Sequence, residues 1–367
     1  MTDNSVPLEP GDFDAALIQR LIRTKHPDAE VESMKIVDAA LSSDGEQKVS
    51  TARRIAVEVG YGPSAPDHWP QRLIVKVARP GLGDILLYAN EVNVYAHLGD
   101  ELPVNTPMCL GAYHDAPSSS FGLVLEDLRP RDAAFPSVLS KTSVSDVRML
   151  LDQFARLHAA YWESPRFAND LAWVHPHTSG PIHDLFNHQA GVPMLINWEV
   201  QSQQFKRELV ESLEESTDSL LAKVAVAQQH QASLPTTFLH GDAHIGNTYS
   251  LPDGSRGLLD WQLAARGFCM HDVSYTIITG LSVHDRRRHE RELIEHYHHQ
   301  LQLAGVKDAP SVADLEREYR YAAAWCLYIG WLTTPLENYG WEINVANHIR
   351  LATAYRDLDS RAALAAL

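Results

Sequence analysis

The chain has 367 residues, 45% of them hydrophobic and 21% charged, and a formal net charge of −16. That length exceeds one typical core and suits two domains of unequal size, while the ordinary composition excludes extended disorder away from the termini. The acidic balance excludes a basic, phosphate-tracking face, so no nucleic-acid partner is expected.

The first residues, M-T-D-N-S-V-P-L-E-P-G-D-F-D, lack both a basic patch and an apolar core, so no signal peptide is expected there. From Asp12 to Arg23, Phe13, Leu17, Leu21 and Ile22 recur at helical spacing and predict an amphipathic helix. Residues 31–41, 53–60 and 72–78 read as three antiparallel strands, the second alternating as R-R-I-A-V-E-V and the third nearly continuous as L-I-V-K-V. Ser42-Ser43-Asp44-Gly45 make the first turn. Lys76 is the only charge in its strand and is costly to bury unless an anion meets it. Glu91 is the candidate, on a helix over 84–98 that Asp84 caps and that aligns Ile85, Tyr88, Val92 and Tyr95; the alternative is that Lys76 snorkels from an edge strand and Glu91 solvates its helix.

Strands over 108–113 and 121–125 flank a Pro-Ser-Ser-Ser turn, and Glu126-Asp127-Leu128 follow as a hinge. Residues 145–162 form a strongly periodic helix, and the rest is mainly helical apart from hairpins over 236–260. The run 173–188 is too rich in Pro, Gly and His to be helical throughout, and the histidines of 284–299 read as a solvated helix face. Cys109, Cys269 and Cys326, odd in number and far apart, fit neither a disulfide framework nor a zinc site. The longest apolar run, 322–332, is about half of the ~20 residues a bilayer span needs, so no membrane partner is expected and the cytoplasm is the expected compartment.

The chemistry concentrates in 236–272. Asn247-Thr248-Tyr249-Ser250 and Gly257-Leu258-Leu259 flank Pro252-Asp253-Gly254, the signature of a hairpin with Asp-Gly at its tip. A two-residue loop puts Asn247 opposite Asp260, and a bulge shifts this by about a residue, leaving both close enough to hold one hard cation. Asp242 lies five residues before Asn247, at the far end of a short loop, free to accept a proton.

The ordered set His240-Gly241-Asp242, Asn247, Asp260-Trp261-Gln262 and Asp272 resembles the aminoglycoside phosphotransferase and choline kinase family of the protein-kinase-like fold. L-L-D-W-Q-L-A-A-R-G with the earlier E-D-L looks most like its bacterial ecdysteroid kinase-like branch. The resemblance implies an α+β, two-lobed fold: an N-lobe over 1–126 with an antiparallel sheet and helix, and a larger, mainly helical C-lobe over 127–367. It implies ATP or GTP with Mg2+, and transfer of the γ-phosphoryl group to a hydroxyl on a small molecule. Asp242 would orient and deprotonate that hydroxyl, Asn247 and Asp260 would hold magnesium, and Lys76 with Glu91 would steady the α/β-phosphates. Ser43 would cover the phosphates, the Glu126 and Leu128 backbone would read the base, and Asp272 would brace the catalytic loop. A catalytically silent nucleotide-binding protein and an adenylyl transferase on the same fold are the alternatives. Trp162, the 173–188 segment and the aromatic group Tyr321, Trp325, Tyr328, Trp331, Tyr339 and Trp341 are candidate walls for the acceptor.

Overall fold

The structure is a computed structural model that describes residues 5–39, 51–81, 85–330 and 335–367. The chain forms two compact units. One comprises Met1–Ala134, Ser250–Ser255 and Leu259–Gln262, and the other Phe135–Tyr249, Arg256–Leu258 and Leu263–Leu367.

In the first unit, helix α1 (Ala15–Ile22) begins at Asp14, whose carboxylate accepts the Leu17 amide at 2.7 Å. Strands β1 (Val31–Asp38), β2 (Ala52–Tyr61), β3 (Arg72–Ala78), β4 (Cys109–Asp115) and β5 (Ser120–Glu126) form one antiparallel sheet in the order β1-β2-β3-β5-β4. Alternation decides the faces: Leu17, Ile18, Leu21 and Ile22 of α1 pack with Ile55, Val57, Val75, Val77 and Val124 in one apolar core. β3 lies between β2 and β5, with Lys76 opposite Arg54 and Leu123, so Lys76 sits mid-sheet. Helix α2 (Leu86–His97) buries Tyr88, Glu91, Val92 and Tyr95. Its N-cap is Ile85, without a side-chain cap bond, and Asp84, the expected cap, lies outside the described residues.

The second unit is mainly helical. Helix α3 (Val144–Ala160) starts from a capping box of Ser143 and Asp146. α4 (Gly180–Asn187), α5 (Val192–Ser202), α6 (Gln204–Ser212) and α7 (Thr217–Gln231) follow. Strands β6 (Thr237–Leu239), β7 (Thr248–Ser250), β8 (Arg256–Leu258) and β9 (Ala265–Gly267) precede α8 (Met270–Gly280), α9 (Val283–Leu303), α10 (Val312–Gly330) and α11 (Leu336–Asn347). The stretch 173–188 is helical only over α4, as its Pro and Gly content predicts. β6 takes a partner that the local pattern did not reveal: it pairs with β9, Phe238 opposite Arg266. Every residue of α8 is buried, which makes it the axis of this unit. Cys109, Cys269 and Cys326 are buried free thiols. Among the described residues, no helix is long and apolar enough to cross a membrane.

Candidate active site

Lys76 Nζ lies 2.6 and 2.7 Å from the two carboxylate oxygens of Glu91, and both side chains are buried. Its third near neighbour is one that the sequence pattern did not indicate, Asp260 Oδ1 at 3.3 Å. Burial presses the Lys76 ammonium toward neutrality, but the charges of Asp260 and Glu91 and the Glu91 hydrogen bonds outweigh it and raise its pKa. Burial, the largest influence on Glu91, pushes its carboxyl up; Lys76 pulls it down, Asp260 pushes it up again, and the net direction is upward. Asp260 keeps 35% of its side chain exposed, so its carboxylate can meet a ligand as well as Lys76.

Asp260 has φ +61°, a left-handed conformation that non-glycine residues adopt only when their surroundings hold it. Trp261 beside it is wholly buried, and its indole N–H donates to Thr106 Oγ1 at 3.2 Å. The Gln262 carbonyl accepts Asn90 Nδ2 at 2.8 Å, and its side-chain oxygen accepts the Thr51 hydroxyl at 2.7 Å. Aspartate, tryptophan and glutamine are thus each fixed by a different contact.

The hairpin register differs by one residue from the two-residue-loop expectation. The Leu251 amide donates to the Ser255 carbonyl at 2.9 Å, so Pro252, Asp253 and Gly254 all lie in the loop, with Gly254 at φ +85°. A third loop residue requires this left-handed glycine, and Asp-Gly serves a three-residue loop as well as a two-residue one. The paired strand ends at Leu258.

In the second unit, the loop after β6 is bound from behind by Asp272, which is fully buried on α8. Its carboxylate accepts the His240 amide at 2.7 Å and the Gly241 amide at 2.9 Å. His158 of α3 faces the same carboxylate through Nε2 at 3.3 Å and the Tyr297 hydroxyl through Nδ1 at 2.7 Å. Burial would raise the Asp272 pKa, but the hydrogen bond and charge of His158, then His271 and His240, hold it below the usual carboxylate range. Gly241 is obligatory: it has φ +82°, and a Cβ there would lie 1.8 Å from the Leu263 carbonyl. Asp242 then emerges with its amide on His240 Nδ1 at 3.2 Å.

Asn247 Nδ2 donates to both the carbonyl and the Oδ2 of Asp242, each at 3.0 Å. Those bonds fix the amide and leave its oxygen as a neutral, hard donor suited to a divalent cation, as the Asp260 carboxylate is. His244 Nδ1 accepts the Gly246 amide at 3.0 Å, so its Nε2–H is the end that faces Asp242 Oδ2, 3.7 Å away. Asp242 keeps 20% of its side chain exposed.

At the expected hinge, the amide of Glu126 donates to Met108 and that of Asp127 to Arg72, so Leu128, itself buried, is the first residue past the strand contacts. The Glu126 side chain meets Arg131 at 3.3 Å. Ser43 and Trp331 lie outside the described residues. Tyr321, Trp325 and Tyr328 are buried in α10, where Trp325 packs on Phe186 and His271; Trp341 is 58% exposed. The histidine run lies along α9, with His296 on Asp152 at 2.7 Å and His289 on Glu292 at 3.1 Å.

The model of the phosphotransferase enzyme family matches residues 65–321, which include Lys76, Glu91, Asp242, Asn247, Asp260 and Asp272. The chain belongs to the phosphotransferase enzyme family. This phosphotransferase is similar in structure to a choline kinase from Cryptosporidium parvum, with TM-score 0.55 and 12% identity over 95% of this chain and 98% of that one. An ethanolamine kinase from Plasmodium vivax gives TM-score 0.50 and 14% identity over 83% and 81%. A spectinomycin phosphotransferase in complex with ADP and spectinomycin gives 0.50 and 10% over 95% and 99%. No curated protein sequence matches the chain. At these identities the likenesses carry the fold: α+β, two-lobed and protein-kinase-like, with an antiparallel sheet and helix in the N-lobe and a mainly helical C-lobe.

Proposed function

We propose that this phosphotransferase moves the γ-phosphoryl group of ATP or GTP to a hydroxyl of a small molecule. The observation that carries the reading is the loop over 240–247, where Asp272 fixes the backbone and Asn247 fixes one oxygen of Asp242. With Oδ2 bonded to Asn247, we assign Oδ1 of Asp242 to the acceptor hydroxyl. As the hydroxyl oxygen bonds to the γ-phosphorus, its proton passes to Asp242, the bond to the bridging oxygen breaks, and nucleoside diphosphate leaves. Lys76, held by Glu91, steadies the α/β-phosphates, the backbone at Glu126 and Leu128 reads the base, and Ser43 is assigned to the phosphates from the sequence alone. Magnesium, when bound, neutralises charge on the phosphate oxygens, and Asn247 and Asp260 would hold it with the oxygen donors it prefers.

The test is mass spectrometry of small-molecule pools incubated with the protein, ATP and Mg2+. A product that gains one phosphoryl group, and is lost with Asp242→Asn, is the expected result. A gain of an adenylyl group, or no product from any pool of hydroxyl compounds, overturns the reading.

A further inference from the structure

Asp260 at φ +61° is in a left-handed conformation that a non-glycine residue keeps only with support, so something specific must keep it there. Three places in the first unit converge on residues 260–262. Thr106 receives the Trp261 indole, Asn90 of α2 reaches the Gln262 carbonyl, and Thr51, just before β2, reaches the Gln262 side chain. Tyr88 of α2 in turn donates its hydroxyl to the Thr51 carbonyl, so the two Gln262 contacts are tied to each other. Asn90 and Glu91 are consecutive: one turn of α2 therefore holds Lys76 through Glu91 and the segment after Asp260 through Asn90.

We propose that Thr51, Asn90 and Gln262 are positioning residues that keep Asp260 left-handed, with its carboxylate beside Lys76 and turned to magnesium-bound nucleotide; this rests on the phosphotransfer reading above. None of the three touches a reacting atom. Gln262 is suited to the task because one residue offers an oxygen from its backbone and another from its side chain, and a hydrophobic side chain there would offer only the first.

The experiment uses the full chain as parent, Thr51→Val, Gln262→Met, the double variant, and Thr51→Ser, which keeps the hydroxyl. Two quantities are measured: hydrogen exchange of the backbone amides over 260–263 without ligand, and calorimetric affinity for ATP with and without Mg2+. Thr51→Val and Gln262→Met are each expected to speed that exchange and to reduce the magnesium-dependent gain in ATP affinity by about tenfold, the lower end of what residues supporting a metal ligand contribute. Affinity for magnesium-free ATP should stay within about twofold, the double variant should be no worse than either single one, and Thr51→Ser should match the parent. Equal losses with and without Mg2+, additive losses, or unchanged exchange overturn the proposal. A parent whose ATP affinity gains nothing from Mg2+ overturns the phosphotransfer reading and the assigned role together, and faster exchange in variants of such a parent assigns the contacts to structure alone.

Discussion

Residues 240–247 are fixed from behind by a buried charge, Asp272, which accepts two consecutive loop amides, whereas 260–262 are fixed by neutral hydrogen bonds, given to Thr106 and received from Asn90 and Thr51. Both segments contain a left-handed residue, but Gly241 takes that conformation without strain and Asp260 does not. An ionised brace suits a loop whose amides must converge on one point, because a carboxylate accepts several donors at once. Neutral contacts suit a segment that already carries a carboxylate next to an ion pair, where a further charge would compete for Lys76. The first kind of support depends on protonation and the second does not.

The comparison can be broken most severely at Asp242. Asp242→Asn should lower turnover by ~10²–10⁴ while leaving nucleotide affinity within about twofold, since it removes the proposed proton acceptor and keeps the Asn247 contact. Unchanged turnover would take the base role from this residue. Next, Asp260→Ala should remove most of the magnesium-dependent affinity for ATP. Asn247→Ala should weaken it less, because a carboxylate binds a hard divalent cation more strongly than an amide does. Calorimetry that ranks the two in the opposite order would assign the stronger metal donor to the wrong segment.

Asp272→Asn should destabilise the protein by roughly 2–4 kcal/mol, since it leaves a buried network short of an acceptor. The sign with pH follows from its lowered pKa. Asp272 stabilises fully above its unfolded value of about 4, and that contribution is lost as pH falls through the still lower folded value. Denaturation measured at pH 7 and near pH 3 should therefore show the gap between parent and variant narrowing on the acid side. A gap that widens would contradict a charged brace. The smallest effect is expected at His244, 3.7 Å from an oxygen that Asn247 already holds: His244→Ala should cost no more than about tenfold in turnover. A loss equal to that of Asp242→Asn would make His244 a proton carrier.

Residues close in sequence were legible. The strand over 72–78 has its expected bounds and β2 is one residue longer at each end, because alternation is visible within a single window. The Lys76–Glu91 pair could be anticipated because a cation mid-strand demands an anion nearby and the family resemblance points to a glutamate on the helix that follows. The supports are different. Thr51 bonds a residue 211 positions away, and His158 one 114 positions away, so no local pattern records either pairing. The periodic helix over 145–162 does contain His158, yet nothing in its period distinguishes a network histidine from a core one. The hairpin takes the one-residue shift that a bulge allows rather than the two-residue loop, because Asp253-Gly254 serves loops of either length, and the Leu251–Ser255 bond decides between them.

The three thiols have a practical consequence. Burial pushes Cys109 and Cys269 up to about 12 and Cys326 strongly upward, so the thiolate that attacks an electrophile is scarce at neutral pH. The native chain is therefore a quiet background for dye chemistry. A cysteine introduced at Asp253, on the exposed tip of the hairpin, should couple to a maleimide fluorophore within minutes while the native thiols stay unmodified. The labelled protein would report optically on the segment that joins the two aspartates as nucleotide is added.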